Sequence, residues 1–449
     1  MSLAYQIIKL YEKADGRNFS TFYESFKKSE FLSMEDLKSL QLEKLKKLSS
    51  HAYQTVPYYK KKFNSIGFEP NDLKILDDIK QIPSLSKKQL KENYESLISQ
   101  SYNPSQLFEH ATGGSSGTPT NFLLTREQYD SRAAVSFKAY QMTGWDFMKR
   151  TVFLSGAPIE SSKKERIKKR VKSYLMRQYT IPTFDLNEKK LNDLCHYINR
   201  KKPRVIFGYV SSLLLFAQYV EAHKIKVRIP TIIQMAEMIY PNQKEYIEKF
   251  LNGKFFKHYG ARDAIAIGME CINRCGLHAN MDTLLIEIVK NNKETFEEDG
   301  EIFITDLYSF GMPLIRYQIG DVGKWMSKTC SCGRASPLFE ITQGRKTNII
   351  STKDGIFMTG LFIPHLFKEL SVKINKYQVV QPDINHLIIK IVKRPEYIDT
   401  DEKFLLNKLK EKLGKEIDIK FEYPQHIPPE PSGKYMFVKS NVPVSFGNE

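Results

Sequence analysis

Apolar residues in the first hundred positions recur at three- and four-residue steps. The stretch LEKLKKLSSHAYQTVPYYKKKF, Leu42 to Phe63, keeps that rhythm until Pro57, which cannot continue a helix without losing a backbone bond. LSKKQLKENYESLI continues it, with Ser86 placed to cap a helix N-terminus. From about residue 105 the pattern changes to short apolar runs: TVFLSGA, PRVIFGY, TIIQMA and GKFFKHYG each end in Gly, Ser or Ala and predict strands. SSLLLFAQYVEAHK predicts one of the intervening helices. This alternation predicts an α/β fold with parallel-sheet layers, whose ligand loops lie beyond the strand carboxyl ends. Near residue 344 a third pattern begins. KYQVVQPDINHLIIKIV predicts a hairpin turning at Pro382–Asn385; the helical DEKFLLNKLKEKLG, closed by Gly414, and the strand IDIKFEYP follow. The expected division is a body over 1–343, helical to about 100 with an α/β core over about 105–343, and a small α+β domain over 344–449.

The chain's 449 residues are 41% apolar and 27% charged, an ordinary globular balance. No run approaches the roughly 18 apolar residues of a membrane span, and the N-terminus MSLAYQIIKLYEKADGRNF lacks the regions of a secretory signal, so a cytoplasmic location is expected. The net charge of +17 raises nucleic acid as a partner. The clearest basic run, Lys163 to Lys172, spreads its charge around any helix it could form and holds no aromatic residue to stack on bases. A lysine-rich solvated face is the expectation, with no nucleic acid partner.

Ala111 to Thr120, ATGGSSGTPT, carries the most chemistry. Gly113, Gly114 and Gly117 let a backbone approach a polyanion, while Thr112, Ser115, Ser116 and Thr118 supply uncharged donors. No lysine occurs from Thr112 to Arg126, which excludes a Walker-type phosphate loop. Cys271-x3-Cys275-x2-His278 and Cys330-x-Cys332 place four of the five cysteines in two tight pairs, a spacing for metal rather than disulfide. Five candidates compete for the four places of a tetrahedral zinc site.

The decapeptide resembles the Thr-Ser-Gly-Ser-Ser-Gly-Thr-Pro motif of the adenylate-forming superfamily of acyl-CoA synthetases. His51 to Phe63 and Gly208-Tyr209-Val210-Ser211-Ser212 resemble the branch that holds phenylacetate–CoA ligase and the capsular polysaccharide (CapK-like) proteins. His258-Tyr259-Gly260-Ala261-Arg262-Asp263, Thr305-Asp306-Leu307, Met312 to Tyr317, Gly320-Asp321, Gly344-Arg345 and Pro431-Ser432-Gly433-Lys434-Tyr435 follow in the family's order. The resemblance implies an ATP-dependent ligase that forms an acyl-adenylate and passes the acyl group to CoA or an amine, with a mobile C-terminal lid. It implies that the loop Thr112–Thr118 holds phosphate, that Tyr259, Gly260, Ala261 and Arg262 flank the adenine, and that Asp321 takes the ribose. Arg345 would meet phosphate or ribose, Asp263 would hold magnesium where glutamate is usual, and Lys434 would be catalytic. Arg316 would tie its loop down. Thr347 and Asn348 depart from the family's hinge. For the zinc, the resemblance favours Cys271, His278, Cys330 and Cys332, with Cys275 as substitute. The rival expectation is a catalytically degenerate descendant that binds nucleotide or acyl ligand without turnover.

Overall fold

The computed structural model describes residues 5–442 apart from 7–8, 10–11, 13–15, 112–120, 147–148, 155–172, 175, 182–187, 236, 292, 297, 344–349, 354–356, 359–365, 368–369, 371–372, 415, 429–435 and 437. The helices Met34–Thr55 and Pro57–Ile66 open the body, with Pro57 starting the second helix instead of interrupting one. Ser86 caps Lys87–Glu92: its Oγ accepts from Gln89 N, and Gln89 returns the bond to Ser86 N.

Two large sheets and the two-stranded pair Leu107–Ala111 with Asn121–Thr125 form the described part of the body. Five parallel strands run in the order Gln178–Ile181, Thr151–Leu154, Val205–Tyr209, Thr231–Met235, Lys254–Phe256. Helices Glu188–Lys201, Val210–Ala222 and Pro241–Leu251 cover one face, where Ile206, Leu213, Phe216, Ile232 and Phe255 are fully buried. Helix Arg126–Gln141 contributes Ala134, Val135 and Ala139 to the core that holds Phe207, Ile233 and Phe256 from the opposite face. The second sheet has eight antiparallel strands, among them Leu284–Lys290, Gly300–Asp306, Tyr317–Met326 and Leu338–Gln343. Strand–helix alternation does not foreshadow this layer. Its strands bury both faces, as in Gly300–Asp306, so no polar alternation marks them.

The N-terminal helices fasten the antiparallel sheet to the site. Tyr59 Oη donates to Pro313 O at 3.0 Å and accepts from Ile315 N at 3.2 Å, while His51 Nε2 meets Phe310 O at 2.8 Å. Leu85 N donates to Arg316 O and Leu85 O accepts from Gln318 N, so the segment before Ser86 lies alongside the strand that carries Asp321. The described residues of 350–441 include a four-stranded sheet and the helix Asp399–Leu413 around a core of their own, with Leu387, Ile389, Leu405, Leu409 and Val438.

Candidate active site

Beyond the last parallel strand the chain makes a short hairpin. His258 pairs with Met269 and Tyr259 with Gly268, so residues 260–267 form its turn. Gly260 is required there, since a Cβ would stand 2.9 Å from Ala266 N. Ala261 N donates to Ala264 O at 2.9 Å. The turn continues into no helix, so Asp263 is not a helix cap.

Two tyrosine–aspartate bonds join this hairpin to the strand Tyr317–Met326. Tyr259 Oη donates to Asp321 Oδ2 at 2.8 Å, and Tyr317 Oη donates to Asp263 Oδ2 at 3.1 Å. Each partner pair is crossed: the tyrosine of one segment meets the aspartate of the other, four residues along. Asp263, Tyr317 and Asp321 are buried, and Tyr259 is half-buried. Within that strand Gly320 holds φ +86°, and Lys87 reaches the residue before it by donating from Nζ to Ile319 O at 2.6 Å.

Arg132, on the helix that follows the 112–120 loop, holds the turn from behind. Its Nη1 donates to Arg262 O at 3.1 Å, and its Nη2 donates to Asp263 O at 2.7 Å and Asp306 Oδ2 at 2.8 Å. Gln128, one turn earlier, donates to the same Asp306 oxygen at 2.8 Å. Arg316 sits at φ 49° and is spent on structure: it grips Glu287 at 2.9–3.1 Å and donates to Lys80 O and Ile82 O. Burial pushes the Glu287 carboxyl up against the pull of that guanidinium. Burial likewise holds the His258 imidazole down at about 4, so the ring is neutral at pH 7. His110 lies one residue before the end of the strand Leu107–Ala111 that leads into the 112–120 loop, and its basicity is lowered by burial and then by the charges of Arg132 and Arg262.

The four residues Cys271, His278, Cys330 and Cys332 bring their ligand atoms within 4.8 Å of one another. Cys271 Sγ lies 3.5 Å from Cys330 Sγ, and Cys332 Sγ 3.4 Å from His278 Nε2. Tetrahedral zinc at ordinary bond lengths spaces its ligands about 3.5–3.8 Å apart, so the donor set fits. His278 Nδ1 contacts Ser336 Oγ at 3.1 Å, which leaves Nε2 as the ligand nitrogen. Burial and Arg334 lower that imidazole to about 4, the neutral form a metal needs. Cys275 is half-buried beside the cluster, with its Sγ 3.6 Å from Asn273 O. Because Cys271 follows the strand Gly268–Glu270 directly, the cluster clamps the base of the hairpin whose turn carries Asp263. Asp263 offers a hard carboxylate donor on a tight turn, the donor type that magnesium takes.

Thr112 to Thr118, Arg345, Thr347, Asn348, Lys434 and the basic run 163–172 lie outside the described residues. Tyr259, Gly260, Ala261, Arg262, Asp263 and Asp321 come together. Arg132, Gln128, Tyr317 and Lys87 join them without having been singled out by sequence. Helix Arg126–Gln141 gave no warning, because it buries Gln128, Asp130, Ser131, Arg132 and Ser136 as well as apolar residues. Polar residues on the helix just downstream of a glycine–serine loop were the signal available.

The CapK C-terminal domain family matches residues 350–441. Protein CapK of Staphylococcus aureus is 22% identical over 433 residues, covering 94% of this chain and 92% of that protein. The phenylacetate–coenzyme A ligase of Thermus thermophilus is 24% identical over 322 residues, covering 68% of this chain and 69% of its own. Among solved structures, 2-hydroxyisobutyryl-CoA ligase in complex with 2-HIB-AMP aligns with a TM-score of 0.72 at 18% identity, over 92% of this chain and 91% of that one. The fold is that of the adenylate-forming ligases. No helix among the described residues is long and apolar enough to cross a membrane.

Proposed function

We propose that this chain, which is homologous to CapK and to the phenylacetate–coenzyme A ligases, is an ATP-dependent, AMP-forming ligase that activates a carboxylic acid as its acyl-adenylate. The observation that carries the reading is the Tyr259–Asp321 bond at 2.8 Å, which joins two motifs 62 residues apart. Asp321, an acceptor-only carboxylate, takes the ribose hydroxyls. Tyr259, Gly260, Ala261 and Arg262 flank the adenine, and the loop Thr112–Thr118 cradles the phosphates with backbone N–H groups and hydroxyls.

In the first half-reaction a carboxylate oxygen of the acid bonds to the α-phosphorus while the bond to the bridging oxygen of pyrophosphate breaks. Two anions meet and a third leaves, so positioning and charge neutralisation carry the rate. Asp263 would hold magnesium, which would supply part of that neutralisation. Lys434 and Arg345 bring cationic charge from the C-terminal domain over 344–449, which acts as a lid. In the second half-reaction a thiol or amine attacks the acyl carbonyl and AMP departs. CoA is one acceptor. The near full-length match to CapK and the matching C-terminal domain favour an amine acceptor in surface polysaccharide assembly. Cys271, His278, Cys330 and Cys332 would hold zinc through four protein ligands, a set that would serve structure rather than catalysis.

Pyrophosphate exchange across a panel of carboxylic acids tests the reading directly. Acid-dependent exchange supports it. ATP binding with no exchange for any acid, in protein supplied with magnesium and zinc, identifies a degenerate binding protein instead.

A further inference from the structure

Asp263 is gripped at both ends. Its carboxylate accepts from Tyr317 at 3.1 Å, and its carbonyl accepts from Arg132 at 2.7 Å. Arg132 is only 4% exposed. We propose that Arg132 is a positioning residue for magnesium-ATP, coupling the helix that follows the 112–120 loop to the backbone of Arg262 and Asp263. The inference rests on the reading that this turn and loop receive the nucleotide.

The geometry uses what a guanidinium alone provides. Two Nη groups in one rigid plane reach three acceptors, which are two consecutive carbonyls and the Asp306 carboxylate. A lysine keeps the charge beside Asp306 but has no fork to hold adjacent carbonyls in register. The pair Arg132–Asp306 is electrically closed, with Gln128 sharing the Asp306 oxygen, so the guanidinium acts on the turn through direction rather than net charge. Helix Arg126–Gln141 begins one strand after the phosphate loop, capped by Thr125 Oγ1 on Gln128 N. A shift of the loop's helix is therefore delivered to the two residues that present the magnesium ligand. His110, on the strand entering the loop, stacks on Phe122, whose ring lies under the Arg132 guanidinium.

Arg132→Lys tests this, read by calorimetric ATP binding over a magnesium titration alongside pyrophosphate exchange. Magnesium-ATP affinity falls about 10- to 100-fold and the magnesium half-saturation rises in step, the usual effect of losing a ligand's orienting partner. ATP binding in chelator and KM for the acid stay at wild-type values. A cooperatively melting Arg132→Lys protein with wild-type magnesium dependence overturns the proposal, as does an equal loss in acid KM and ATP affinity. If Arg132→Lys does not melt cooperatively, the double variant Arg132→Met, Asp306→Leu removes both charges together and faces the same criteria. A wild type without exchange refutes the ligase reading alone, because the magnesium-dependent calorimetry still decides the role of Arg132.

Discussion

Tyr259 and Tyr317 make similar bonds with different consequences. Tyr317 is fully buried and its hydroxyl meets a buried carboxylate, so Tyr317→Phe leaves Asp263 short of a donor. A loss of about 1–3 kcal/mol in urea unfolding is expected. Tyr259 is half-buried, and Tyr259→Phe costs less stability but frees Asp321 to rotate. ATP affinity, measured by calorimetry, falls more for Tyr259→Phe than unfolding free energy does. Glu30 gives a pH signature. Burial raises its carboxyl, but Lys27 and Arg334 outweigh that and leave its pKa below the ordinary glutamate value. A depressed carboxylate adds stability that is complete above its unfolded pKa of about 4.3 and lost as pH falls through the folded value. The urea-stability gap between wild type and Glu30→Gln is therefore full at pH 7 and closes below about pH 4. A gap that persists in acid contradicts the ion-pair account.

At the scale of elements, the hairpin over 258–270 is held by the cluster of Cys271, His278, Cys330 and Cys332 at its base and by Arg132 at its turn. Stripping metal with a chelator, or replacing Cys271 with Ser, lowers the melting temperature and releases zinc in elemental analysis. Cys275→Ser retains the metal; zinc loss from that variant would displace the four-ligand assignment. Much of this level was readable in advance. The four parallel strands TVFL, VIFGY, TIIQM and KFF, the Ser86 cap and the hairpin turning between Asp383 and His386 follow local rules of periodicity, capping and turn chemistry. The antiparallel layer was not readable, because its pairing joins distant segments and its strands lack alternation. Helix Arg126–Gln141 was readable as a helix but not as a site element, since Arg132 acquires its role only when Asp263 and Asp306 fold against it. Motif residues such as Asp321 were legible through resemblance, whereas Tyr317 stood inside a quoted motif without its bond to Asp263 being foreseeable.

For the whole molecule, the separate core around Leu387, Ile389, Leu405 and Leu409 predicts that residues 344–449 expressed alone melt cooperatively. A fragment with no cooperative transition would argue against an independent lid. Lys434→Ala in the full chain reduces pyrophosphate exchange about 10²- to 10³-fold, as loss of one charge-stabilising donor does, with the melting temperature unchanged. Exchange at the wild-type rate would remove Lys434 from the mechanism. The helical segment up to about residue 100 has no comparable autonomy. Leu45, Leu48, Tyr59, Phe63 and Leu85 pack in one core with Ile286, Ile304, Leu314 and Phe339. On a ribosome adding residues at the usual pace, those first apolar faces emerge roughly 10–50 s before their partners are synthesised. The newborn chain thus carries a long exposed apolar surface through most of translation, which makes its early life a task for holding chaperones rather than for spontaneous domain-by-domain folding.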